Sequence, residues 1–217
     1  MNRSTLGVVT GLKAEARWLS QAGFMVQIGG GTPDGAAVAA QTLLDQGATS
    51  LLSFGLAGGL QPGLKPGTVL VPSRVITPTG HYDCNAALMT FLGGQTPGAL
   101  LAGLTIAASV SEKSALYQRD HAVAIDLESG EVAALATRYG RPFAVLRAIA
   151  DPAERSLPPA ALVALKDDGS LNWRGLIGSI LRQPGQITGL IKVGQDAKAA
   201  RDHLLERLQM ICARPTS

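Results

Sequence analysis

Ala122-Val123-Ala124-Ile125-Asp126-Leu127-Glu128-Ser129 and, one short segment later, Pro142-Phe143-Ala144-Val145-Leu146-Arg147-Ala148-Ile149-Ala150-Asp151 decide how this 217-residue chain folds. Each is a short, nearly continuous apolar run, the pattern of a strand buried on both faces. Between them Gly130 to Tyr139 carries a helical pattern, so the pair reads as strand, helix, strand with a parallel crossover. Glu128 stands just past the first run and Asp151 ends the second. Ligands of open α/β sheets collect outside the carboxyl ends of parallel strands. The two acids, 23 residues apart, are therefore expected at the ends of neighbouring strands and on one crevice. One carboxylate can hold charge there while the other handles a proton. Alone, each has an ordinary explanation: Glu128 as a partner for a helix dipole, Asp151 as a turn residue before Pro152. Their pairing is what points to a site.

Outward from these runs the βαβ alternation continues. Strands are expected at Leu6–Thr10, Phe24–Ile28, Ser50–Phe54, Thr68–Ile76 and Leu104–Ala108. Helices are expected at Leu12–Gln21, Asp34–Gln46 and, closing the chain, Asp196–Met210. Gly29-Gly30-Gly31 and Gly55…Gly58-Gly59 each follow a strand, so both read as loops on the rim that holds the two acids. Glycine lets backbone N–H groups approach an anion or a sugar there. Neither loop has the G-x-G-x-x-G spacing of a dinucleotide site. Glu15, in the first turn after the first strand, is a third acid beside the same rim. Arg147, inside an apolar strand, reads as a buried ion pair rather than a phosphate ligand.

Composition narrows the partners. Net charge is +3, aromatics are 4% and no Lys/Arg run occurs, so nucleic acid is not expected. Cys84 and Cys212 make neither a metal spacing nor a disulfide framework, and His81, His121 and His203 are dispersed; no metal is expected, and a reducing cytoplasm fits. The first residues lack the apolar core of a signal peptide, and no run approaches the ~18 apolar residues of a membrane span. One domain over residues 1–217 accommodates the length.

The order Gly11-Leu12-Lys13-Ala14-Glu15, a Gly-rich second loop, Phe54-Gly55-Leu56-Ala57-Gly58-Gly59-Leu60, Pro66-Gly67-Thr68-Val69-Leu70-Val71-Pro72, Ile125-Asp126-Leu127-Glu128-Ser129 and Leu146-Arg147-Ala148-Ile149-Ala150-Asp151 resembles the nucleoside phosphorylase/nucleosidase superfamily. That superfamily includes the methylthioadenosine/S-adenosylhomocysteine nucleosidases. Ala150-Asp151-Pro152-Ala153…Leu157-Pro158-Pro159-Ala160-Ala161-Leu162-Val163-Ala164-Leu165 and Arg182-Gln183-Pro184-Gly185-Gln186 resemble the hopanoid-associated phosphorylases, a branch linked to adenine release from adenosylhopane. The resemblance implies an α/β fold of three αβα layers with a central mixed sheet, no cofactor, and a homo-oligomer, most simply a homodimer.

By that resemblance Asp151 is the acid that protonates the purine, or holds its proton, as the ribose–base bond breaks. Glu128 grips the sugar hydroxyls near the developing positive charge, and Glu15 activates an attacking water. Leu127, Ala57 and Gly58 line the sugar and base. The backbone of Val110 and Ser111 stands where relatives place a stacking Phe, and Tyr82 could reach the far side of the sugar. Leu56 and Ala150 replace hydroxyl residues usual in the nucleosidases. Water and phosphate both remain open as nucleophiles: Glu15 favours water, whereas phosphate would be held by Gly30, Gly31 and Thr32, with Lys13 or Arg17. Residues 154–195 form a branch-specific segment, with an apolar helical face at Trp173, Leu176, Ile177, Ile180 and Leu181. Core packing explains such a face, as would shielding of a substrate's lipid tail or contact with a membrane surface.

Overall fold

The computed structural model of the protein describes residues 3–162, 179 and 182–213. Its strands are β1 (Leu6–Thr10), β2 (Met25–Ile28), β3 (Ser50–Gly59), β4 (Val69–Leu70), β5 (Arg74–Thr77), β6 (Gly80–Asp83), β7 (Ala99–Ala102), β8 (Ala122–Asp126) and β9 (Phe143–Asp151). The helices are α1 (Lys13–Gln21), α2 (Pro33–Asp45), α3 (Ala86–Phe91), α4 (Val110–Asp120), α5 (Ser129–Arg138), α6 (Pro159–Leu162) and α7 (Ile187–Ala213). The strands make one mixed sheet in the order β2-β1-β3-β8-β7-β5-β6, with β9 pairing β3 and β4. Every residue of β1 and β8 is buried, as is all of β9 except Ala150, so helices cover both faces of the sheet.

Strand β3 organises the molecule. Its first part lies parallel between β1 and β9, and its end runs antiparallel to β8 through Gly58↔Ile125 and Gly59↔Ala124. A register shift between Ala57 and Gly58 marks the change of partner. Consequently β8 and β9 do not pair as neighbouring strands; β3 stands between them. Both still deliver their carboxyl ends to one crevice, because each is anchored on the far end of β3.

Three other expectations change. Residues Gly55 to Gly59 are strand, not loop. Gly55 has φ +150°, and a Cβ on it would stand 2.6 Å from an Arg147 Nη atom, so glycine is there to admit a buried guanidinium. The apolar run from Thr68 to Ile76 is two strands, because Pro72 cannot donate to a ladder and β4 and β5 take different partners. The strand expected at Leu104–Ala108 is instead β7, which starts five residues earlier. Leu104 is 72% exposed and Ile106 47% exposed, on a loop whose Ile106 lines the crevice.

Caps and faces follow ordinary chemistry. Thr32 accepts from the Gly35 N–H at the start of α2, with Pro33 at the first helical position, and Ser109 accepts from Glu112 at the start of α4. Helix α7 begins at Ile187, nine residues before the start expected at Asp196. It buries Ala200, Leu204, Leu208 and Ile211 in the main core, which also holds residues of β3 and β9. Among the described residues no helix is long and apolar enough to cross a membrane. Of the expected apolar face at Trp173–Leu181, every apolar residue lies outside the described residues.

Candidate active site

A cavity of about 230 Å³ opens beside the end of β3. Leu56, Ala57 and Gly58 of β3 form part of its wall, Leu127 and Glu128 enter from the turn between β8 and α5, and Asp151 comes from the end of β9. Gly31, Ile106 and Leu157 complete much of the rest. Six of the residues singled out from sequence thus meet at one place: Asp151, Glu128, Leu127, Ala57, Gly58 and Gly31.

Glu128 is the N-cap residue of α5, yet its side chain makes no capping bond. Its carboxylate is turned instead into the protein, 3% exposed, where Oε1 accepts from the Gly31 N–H at 3.2 Å. The other oxygen, Oε2, accepts from both terminal nitrogens of Arg147 at 3.3 and 3.2 Å. Gly29 keeps this pocket open, since a Cβ there would lie 2.7 Å from Glu128 Oε1. Arg147 Nε is 2.6 Å from Asp126 Oδ2, and Arg147 Nη2 donates to Ser53 Oγ at 2.6 Å. The Ser129 hydroxyl also donates to Asp126. Arg147 is thus the buried ion pair expected of it, with two acids rather than one. Burial disfavours its charge, but Asp126, Glu128 and Glu15 outweigh that and hold the guanidinium above its ordinary range.

Glu15 lies behind Arg147 and is 1% exposed. The Thr10 hydroxyl donates to Oε2 at 2.5 Å, while Oε1 has no partner among the described residues. Burial pushes the Glu15 carboxyl up to about 7, against the opposing pull of Thr10 and Arg147. The carboxyl is thus poised near neutrality, but Glu15 does not line the cavity that Glu128 and Asp151 share; it sits beneath it, next to Arg147. Burial also raises Glu128, with Arg147 opposing.

Asp151 is held from a different side. Lys113, on α4, makes an ion pair with Asp151 Oδ2, and also donates to the Pro152 and Arg155 carbonyls at 2.9 and 2.7 Å. Asp151 Oδ1 is buried with no partner among the described residues. Burial raises the Asp151 carboxyl, and Lys113 opposes that rise.

The remaining candidates sit elsewhere. Tyr82 lines an adjoining cavity of about 340 Å³ that shares Leu127 with the first. Val110 and Ser111 are exposed in the first turn of α4 and do not line the cavity with the acids; the Val110 N–H donates to Ser156 Oγ at 3.3 Å. Gly30 and Gly31 have φ +69° and +74°, but the Gly31 N–H is engaged by Glu128. Thr32 accepts from the Gly35 N–H at 3.2 Å in its capping role. Two participants were not singled out from sequence. Asp126 had a signal, an acid inside the apolar run of β8 matched by an arginine inside β9. Lys113 had none, because Ser109-Val110-Ser111-Glu112-Lys113 has the composition of any solvated helix start.

The sequence profile of the Phosphorylase superfamily matches residues 13–95. A search of curated proteins finds no match. Among solved structures, the S-adenosylhomocysteine nucleosidase of Streptococcus pyogenes in complex with 5-methylthiotubericidin is 16% identical with a TM-score of 0.66, covering 97% of this chain and 98% of its own. The 5'-methylthioadenosine/S-adenosylhomocysteine nucleosidase of Colwellia psychrerythraea in complex with adenine is 15% identical with a TM-score of 0.65, over 95% of this chain and 96% of its own. A futalosine hydrolase mutant of Helicobacter pylori is 17% identical with a TM-score of 0.61, over 66% of this chain and 88% of its own. The chain therefore has the α/β fold of these nucleosidases, a mixed sheet flanked by helices.

Proposed function

We propose that this protein cleaves the N-glycosidic bond of an adenine nucleoside, with water as the nucleophile and adenosylhopane as the substrate. The observation that carries the reading is the meeting of two buried carboxylates, Glu128 and Asp151, on one small cavity, with Asp151 Oδ1 unpartnered. When a ribose–purine bond breaks, positive charge grows on the sugar and negative charge on the departing base. Glu128, fixed by Gly31 and Arg147, would bind the sugar hydroxyls and stabilise the first charge. Asp151 would meet the purine and supply or hold its proton, a contribution typically worth ~10²–10⁴ in rate. Glu15 would take the proton of the attacking water.

Hydrolysis is favoured over phosphorolysis by the use already made of the glycine loop. The Gly31 N–H serves Glu128, and the Thr32 hydroxyl serves the start of α2. A doubly charged phosphate needs several charge-assisted contacts, and these two groups are committed. The lipid-bearing substrate is supported by the exposed apolar residue Ile106 in the cavity wall, and by the branch resemblance of the C-terminal third. A homo-oligomer and a peripheral membrane contact belong to the same proposal. The second reading is a methylthioadenosine/S-adenosylhomocysteine-type nucleosidase. It is favoured by the nearly full-length likeness of fold to such enzymes.

Purified protein incubated with adenosylhopane or methylthioadenosine, with and without phosphate, and analysed by mass spectrometry tests all three points. Free adenine plus an unphosphorylated ribosyl lipid is expected, at a rate indifferent to phosphate. A sugar 1-phosphate overturns the choice of water. Turnover of methylthioadenosine alone selects the second reading, and no adenine from either overturns both.

A further inference from the structure

Helix α4 buries one side chain, and it is a lysine. Lys113 is fully buried, and removing an ammonium from water without compensation costs several kcal/mol. Its three N–H donors are met by Asp151 Oδ2 and by the carbonyls of Pro152 and Arg155. With all three committed, Lys113 has no donor left for a substrate. What it does is fix Asp151 and the turn that follows. The Asp151 side chain is held by one oxygen, and the other is left buried and unpartnered. The same turn carries Arg155, which reaches Asp196 on α7 at 2.5 Å, and leads to Leu157, whose N–H donates to Ala108 at 2.8 Å and whose side chain is part of the cavity wall.

We propose that Lys113 is the positioning residue for Asp151: by holding Oδ2 it aims Oδ1 at the departing base. The mechanistic part of this rests on the nucleoside-cleaving reading above. Several charges face Asp151. Lys113 comes from α4, Arg155 from the turn after β9 and Asp196 from α7, while Glu128 and Arg147 line the same cavity. Lys113 is the only one of these in direct hydrogen-bond contact with the carboxylate among the described residues. Burial alone would drive Asp151 towards its neutral form, and Lys113 supplies the strongest opposing pull. The aspartate is thereby kept able to cycle between anion and acid.

The test is carboxyl-¹³C NMR titration of Asp151 in the ligand-free wild type and in Lys113→Met, joined to the pH profile of adenine release. An opposite charge at this range moves a pKa by ~1–3 units, so the Asp151 midpoint should rise by that amount in Lys113→Met. The limb of the kcat profile that belongs to Asp151 should rise equally, with KM little changed. Lys113→Arg should return the midpoint most of the way. An unmoved midpoint, or activity lost equally at every pH, overturns the proposal and leaves Lys113 a structural tie. Should Lys113→Met fail to fold, Lys113→Gln, which keeps a donor but removes the charge, carries the same titration of Asp151: its midpoint rises, and an unmoved midpoint overturns the pairing. A wild type that releases no adenine defeats the nucleoside-cleaving reading, while the titrations still decide the role of Lys113.

Discussion

Around Arg147 two carboxylates, Asp126 and Glu128, pair with one cation while Glu15 lies within its field, whereas at Lys113 one cation meets one carboxylate and two backbone carbonyls. Both clusters are buried, and both contribute a carboxylate to the same cavity. The first carries an excess of acid, and its most deeply buried member, Glu15, is raised to about 7, mainly by burial with Glu128 adding a smaller push. The second is balanced charge for charge and geometrically closed except for Asp151 Oδ1. An acid-rich cluster stores a proton that can move, and a balanced pair fixes a direction. On the proposed function, the first would supply a base and the second an aimed acid for cleavage of a glycosidic bond.

The largest effect should come from removing the shared cation. Arg147→Met leaves Asp126, Glu128 and Glu15 without their counter-charge. Breaking a buried pair from one side costs roughly 3–5 kcal/mol. Urea unfolding at pH 7 should show a loss of that order, much of it recovered at low pH as the carboxylates are protonated. A loss below ~1 kcal/mol at pH 7 would mean that the acids are not held by Arg147 and that the two clusters are not built on different principles.

Glu15→Gln separates function from stability in the first cluster. Activity should fall by at least ~10² while the fold persists, because the amide cannot accept the proton. Stability should move the other way. Glu15 is raised from 4.5 to about 7 in the folded protein, so between those values the folded state holds more proton than the unfolded one. Stability therefore declines as pH rises through that window, and Glu15 is a net cost above it. Glu15→Gln should remove this decline, amounting to as much as about 3 kcal/mol at pH 8. In the wild type, activity should rise as pH rises through about 7, because the anion is the base. Coincident pH profiles for wild type and variant, in both rate and stability, would strip Glu15 of either role.

How much of this was legible from sequence depends on what each residue does locally. Strands β1, β8 and β9 were readable because continuous burial leaves continuous apolar runs. Asp151 and Glu128 were readable because strand ends on an open sheet are where ligands gather. The antiparallel return of β3 onto β8 was hidden, since Gly55 to Gly59 carry few side chains with which to display a strand period. Gly55 answers to Arg147, 92 residues away, and Gly58 and Gly59 to side chains and backbone of β8 and β9, not to local turn chemistry. The loop from Leu104 to Ala108 looked like a strand because an apolar rim and a buried strand have the same composition over five residues. Lys113 was invisible for the opposite reason: the start of its helix is mostly polar, and nothing local distinguishes the one lysine that turns inward.

The smallest effect on structure, and the sharpest on chemistry, belongs to Asp151→Asn, which keeps the shape of the second cluster and removes its acid. The measurement is single-turnover release of adenine from an adenine nucleoside, in phosphate-free buffer, by wild type and Asp151→Asn side by side. The account predicts stoichiometric adenine from the wild type and release at least ~10²-fold slower from the variant, with unchanged circular dichroism. A wild type that frees no adenine, or a variant that frees it at the wild-type rate, would contradict it.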